Sequence, residues 1–275
     1  MPNTKITRER WKNHMHYSKM IYLITIVVAG LLGDILYTVT TYHAPNARRV
    51  DIEFVGNYVD FSNADPYRQT ALEAGIAYER ARDEAAGIDV NSPDYEPALQ
   101  EVDFLSIDFD PYASDAAYGQ EKFMVTLAAQ EGDIFIVTRP QMVEMVAEGL
   151  AVDLTPYIES GVLNPGDRDL SRVTFSEYVE PGEEPTGKKC VYSLQTGDMM
   201  GLWDAFQYDY RETYMVMMCY SQNQDTAAAV MQSMIDQFTP SPEEIARREA
   251  EIAQRTAELE AEAAAELTDG KETDE

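Results

Sequence analysis

Cysteine and histidine are scarce in this sequence, and the positions of the few are informative. Its 275 residues include two cysteines, Cys190 and Cys219, and three histidines, His14, His16 and His43. Two cysteines exclude a disulfide framework; they leave one bridge or two buried thiols, in runs that are apolar and strand-like. All three histidines flank an apolar run near the N-terminus. No histidine triad, zinc motif or histidine-activated nucleophile therefore assembles in the remainder. A glycine-rich phosphate loop is also missing. Basic residues are few: 21 Lys+Arg against 49 Asp+Glu, a net charge of −28. Beyond residue 43 the balance is 47 acids to 16 bases. Such acidity argues against nucleic acid and against docking on anionic lipid. No cofactor and no metal is expected.

What the sequence does have is one long apolar run, residues 20–42, interrupted by a single charge, Asp34. As a helix rising ~1.5 Å per residue it measures roughly 35 Å, enough to cross a ~30 Å hydrocarbon core. Lys5, Arg8, Arg10, Lys12 and Lys19 precede it, against Glu9 alone. The positive-inside rule keeps that flank in the cytoplasm and exports the residues beyond the span. Tyr22, Tyr37 and Tyr42 sit near the ends, as interfacial aromatics do. A cleaved signal peptide is the rival reading, but no Ala-x-Ala site comes after the run and apolar character resumes at Ile35. Asp34 reads as a residue near the outer interface or against a partner helix, with an intramembrane functional group as the sharper alternative. The expected localisation is a single-pass cell-membrane protein, N-terminus inside.

The chain divides on this reading into a basic stub (1–19), a signal-anchor (20–42), an extracytoplasmic domain (44–240) and an acidic Ala/Glu-rich helix and tail (241–275). Residues 50–59 alternate and are rich in β-formers, which predicts a strand. Residues 65–86 predict a helix with Asp65 as cap and Pro66 in its first turn. A strand over 102–109, a helix over 115–130 and a short apolar strand over 134–138 come next. Pro140 starts another helix, which Gly149 ends. Alternating strands and helices imply an α/β domain with a mainly parallel sheet flanked by helices. Strands over 190–194 and 214–220 and a helix over 225–238 are expected in the second half. Ser241-Pro242-Glu243-Glu244 reads as a helix start.

One stretch resembles a known family. Gln120 to Asp133 ends in Ala128-Ala129-Gln130-Glu131-Gly132-Asp133 and continues into Ile134-Phe135-Ile136-Val137; Gly149-Leu150-Ala151-Val152-Asp153-Leu154 comes after the next helix. Ser221-Gln222-Asn223 then precedes an Ala-rich helix. These motifs, about 70 residues in all, are similar to extracellular solute-binding proteins of bacterial ABC importers, the type II periplasmic-binding fold. The resemblance implies a non-enzymatic module that binds a small solute. Family members have two lobes; about 190 residues leave room for one, or for a reduced second lobe over 164–221.

Ligands of open α/β sheets bind beyond the carboxyl ends of the strands. That rule selects Asn57, Tyr58 and Asp60, then Asp108, Asp110 and Tyr112, then Thr138 and Arg139. Arg139 has the fork geometry to grip a carboxylate or phosphate, or to pair with Asp108 or Asp110. Asp108-Phe109-Asp110 has the oxygens for a divalent cation and resembles the Asp-x-Asp of nucleotide-sugar transferases, although two acids at a strand end are commonly just solvated. Trp203, Phe206, Tyr208, Tyr210 and Tyr214 form an aromatic group able to stack on sugars or receive cations, with core packing as the plainer alternative. The candidate ligand contacts are Asp60, Asp108, Asp110, Tyr112, Arg139, Trp203 and Tyr208. The expected partner is a small molecule of unknown class; the alternative is an envelope protein, with the domain as an interaction scaffold.

Overall fold

The computed structural model describes residues 8–40, 44–56, 58–109, 116–179, 182, 184, 186–248, 250 and 254. The chain falls into two units, Met1–His43 and Ala44–Glu275. In the first, α1 (Arg8–Thr40) is one continuous helix. Its segment Lys19–Leu36 is long and apolar enough to cross a membrane, and its position near the N-terminus also suits a signal sequence. Thr25 and Thr40 each return their hydroxyl hydrogen to a carbonyl one turn back, so neither presents an unsatisfied donor.

The second unit is built on a five-stranded sheet. β1 (Arg49–Gly56), β2 (Glu101–Asp108) and β3 (Ile134–Thr138) pair in parallel, in the order β2-β1-β3. β7 (Thr213–Met217) then adds antiparallel to β3, and the short β6 (Leu194–Gln195) antiparallel to β7. Four of the five strands thus point the same way, and the sheet is mostly parallel. The two-residue break at Tyr192-Ser193 divides the strand expected over 190–194: β5 (Lys189–Val191) leaves the main sheet and pairs with β4 (Thr174–Ser176). β4 lies in a stretch with no sequence periodicity, and local pattern does not announce it.

Helices cover both faces. α2 (Asp65–Ala85) packs against α7 (Gln224–Phe238) over the side that receives Ile52 and Phe54 of β1. α3 (Ala116–Ala128) lies along β2, and α4 (Arg139–Ala147) on β3 and β7. α5 (Thr155–Glu159) and α6 (Gly201–Phe206) are short connectors, and α6 has no clear signal in the sequence. Asp65 does not cap α2: it is the first helical residue, with Ala64 in the cap position and Arg68 reaching back to it at 3.1 Å. Ser241 does cap, accepting the Glu244 N–H at 3.2 Å, and residues 242–248 are helical. Arg248 turns that start back onto the domain through Asp204 at 2.6 Å. The rest of the expected acidic helix and tail lies outside the described residues, apart from 250 and 254.

An aromatic cluster fills the α2/α7 side of the sheet. Phe54 stands edge-on to Phe61, Phe104, Phe206 and Tyr208 at 5.2–5.8 Å between ring centres. Such edge-to-face contacts set the positive ring rim on the negative face. The opposite side of β1 carries Asp51 and Glu53, both buried because α3 and the 129–133 turn cover that face.

Candidate functional site

β1, β2 and β3 all end on one edge, at Gly56, Asp108 and Thr138. The antiparallel register brings Thr213, the first residue of β7, opposite Thr138 on the same edge. A cavity of ≈ 650 Å³ opens there. Its strand-end wall is Val55, Gly56, Phe109 and Thr138, and Tyr58 and Trp203 stand at its sides. The loop from α6 to β7 closes it with Gln207, Tyr208, Asp209, Arg211, Glu212 and Thr213. The volume lies within the ~300–1,000 Å³ typical of small-ligand pockets.

Local chemistry explains why this edge stays open. Gly56 takes φ +158°, and a Cβ there would stand 3.3 Å from the Tyr208 ring, so glycine lets that ring lie against the end of β1. The Tyr208 hydroxyl is within 2.9 Å of the Val55 carbonyl and 3.2 Å of that of Ile136. It ties the α6–β7 loop to two strands, and burial holds its pKa well above the usual phenol range. Gln207 ends α6 in the left-handed region at φ 56°, which turns the chain toward the cavity. Thr138 and Gln141 form a capping box at the start of α4. Asp209 and Arg211 make a two-point ion pair at 2.8 Å, and Arg211 holds the Asp209 carboxyl below its ordinary pKa.

The structure distributes the residues selected from sequence unevenly. Trp203, 54 % exposed, and Tyr208 line the cavity. Tyr58 and Thr138 do too. Asp60 accepts the Ser62 N–H at 2.9 Å, which lowers its pKa, and gives its own N–H to Phe206; it is not a lining residue. Asp108 is exposed at the end of β2, and its neighbour Phe109 takes the lining position. Arg139 opens α4 and lines a second cavity of ≈ 140 Å³. Phe206 and Tyr214 are core residues. Asn57, Asp110 and Tyr112 lie outside the described residues.

Gln207, Asp209, Arg211 and Glu212 escape selection from sequence. They sit among the aromatic residues that are selected, and the polar side chains alternating with Tyr208 and Tyr210 are the signal that this loop faces an opening. Among the described residues no cluster of three or more His, Cys, Asp or Glu is placed to hold a metal ion. Cys190 is buried and Cys219 exposed, both free thiols, and partial desolvation by the surrounding chain raises the pKa of each. Cys219 comes after β7 in a turn instead of lying inside a strand. No family model matches the chain, and no curated protein matches it.

Proposed function

We propose that this chain is a membrane-anchored extracytoplasmic binding module for a small solute, with one lobe and a reduced second segment of the solute-binding type. The observation that carries the reading is the strand-end cavity. It combines the exposed rings of Tyr58 and Trp203 and the half-buried ring of Phe109 with polar residues, the exposed Gln207 among them, the usual make-up of a solute pocket. The exposed Trp203 offers a flat apolar face with an N–H at its edge, suited to a sugar ring or another polar ring. The reading is non-enzymatic: neither free thiol lines the pocket, and its Asp209 and Arg211 neutralise each other and leave Glu212 as a lone further carboxylate among the described lining residues. The basic flank before the apolar run of α1 supports an inside N-terminus.

The test is a thermal-shift screen of the full-length protein in detergent micelles against sugars, amino acids, peptides and divalent metals. A ligand raises the midpoint by mass action. Trp203→Ala then weakens binding about tenfold without lowering the unliganded midpoint, because the side chain is half exposed. A screen in which nothing shifts the midpoint removes the proposal. In that case the interaction reading takes its place, and α3 is where it starts: Tyr118, Met124 and Val125 are exposed on that helix beside the edge strand β2.

A further inference from the structure

We propose that the solute carries a phosphoryl group, and that Arg139, Arg172 and the Gln195 side-chain amide hold it in the ≈ 140 Å³ cavity beside the aromatic pocket. This rests on the binding reading above and names the chemical class of the ligand. The two cavities abut: both are lined by Arg211, Glu212 and Thr213. The smaller one is several times the ~30 Å³ share of a water molecule, room for one tetrahedral anion.

Three observations point to an anion there. Arginines in this acidic chain are normally engaged by carboxylates, as Arg48, Arg49, Arg68, Arg82 and Arg168 are. Arg139 and Arg172 line the small cavity, and neither side chain has an ion pair or a hydrogen bond among the described residues. Second, the Nε2 amide of Gln195 is buried with no acceptor, a donor whose desolvation is uncompensated until something enters. Third, the opposing charge is small: among the described residues Glu212 is the one carboxylate lining this cavity, Asp169 acts on Arg172 without an ion pair, and the lining Arg211 already carries Asp209. Two guanidinium forks and an amide offer more N–H donors than the about four acceptor sites of a carboxylate, whereas the three terminal oxygens of a phosphoryl group take them. The aromatic pocket next door would then hold the neutral body that bears the phosphate.

The test uses the full-length protein in detergent micelles, inorganic phosphate as probe and the thermal midpoint as readout. Millimolar phosphate should raise the midpoint by about 2 °C or more over sodium chloride of equal ionic strength. The rise should vanish in Arg139→Gln/Arg172→Gln. Both side chains are exposed and unbonded, so that variant keeps the wild-type midpoint in chloride, which checks its fold. Sodium acetate should give no rise. The proposal is overturned by a phosphate effect that is absent, that the variant retains, or that acetate matches. Its failure is separable from failure of the pocket reading. A neutral solute that binds while phosphate does nothing removes only the phosphoryl site. A phosphate rise that survives in Trp203→Ala, with no neutral ligand in the screen, keeps the site and removes the aromatic pocket.

Discussion

Tyr208 shows how one side chain serves both stability and site. Its hydroxyl bonds to the Val55 and Ile136 carbonyls, while its ring packs on Phe54 and walls the cavity. Tyr208→Phe leaves the ring in place and removes the tie, so the urea midpoint should fall by the equivalent of about 1–2 kcal/mol with ligand affinity little changed. Cys219 gives a second test at this scale. It is the exposed thiol of the pair, so a membrane-impermeant maleimide should label it in intact cells if the domain is exported, and should leave Cys190 unmodified. Labelling only after the cells are lysed would place the domain on the inner side.

Among the elements, α2 and α7 depend on each other through Glu79. Its carboxylate accepts the Leu99 N–H at 2.9 Å and the Thr226 hydroxyl at 3.0 Å, joining α2 to the segment before β2 and to the first turn of α7. The residue is 1 % exposed, so removing the acceptor strands two buried donors. Glu79→Ala should cost about 2–4 kcal/mol in urea denaturation, and Glu79→Gln clearly less. Gly75 lies on the same contact: a Cβ there would stand 3.3 Å from both Thr226 and Val230 and would run into Leu99. Gly75→Val should destabilise by about 1–3 kcal/mol through overpacking.

Across the whole molecule, the buried acids of β1 set a pH dependence. Burial first, then neighbouring carboxylates, pushes Asp51 up to about 6 and Glu53 up to about 7, and burial raises Asp133 as well. Arg49 and Lys122 pull the other way on Asp51 and Glu53 respectively. Ordinary values are 3.8 for Asp and 4.5 for Glu, so between them and the raised ones the folded chain binds more protons than the unfolded chain. Stability therefore falls as pH rises through about 4–7 and levels off above. Asp153 acts oppositely but lower down. Burial alone would raise it, yet hydrogen bonds from Lys188 and Thr155 hold it at about 2, so its contribution is lost only in stronger acid. The urea midpoint should be higher near about pH 5 than near about pH 8, and Glu53→Gln should flatten that difference and raise the midpoint at the alkaline end. A midpoint that rises between those two values would show that the pair is ionised at little cost.

Much of this architecture can be read without coordinates. Residues 134–137 are apolar on both faces, so they make a buried strand wherever they go, and β3 consists of them with the exposed Thr138 at its end. Pro66 and Pro140 lie in the first turns of α2 and α4, since a residue without an N–H suits only that part of a helix. The apolar run of α1 and its basic flank are likewise local properties of composition. Other features depend on partners far away in the chain. The alternation Val50-Asp51-Ile52-Glu53 looks the same for a half-exposed strand and for one covered on both sides; only the packing of α3 and the 129–133 turn decides that Asp51 and Glu53 are buried. Trp203 and Phe206 are near neighbours on one short helix, yet one faces the opening and the other the core, according to where Phe54 and Phe238 stand. The cavity itself is a product of register. It exists because Gly56, Asp108 and Thr138 end level with one another, and because β7 enters antiparallel and brings its preceding loop across them. The sequence by itself determined where α1 to α4, β1 to β3 and α7 form, since local periodicity and turn chemistry suffice for those segments, whereas β4 and α6 carry no such local signal. The tertiary structure alone decided which charges are buried and which side chains share an opening, because burial and proximity are relations between segments distant along the chain.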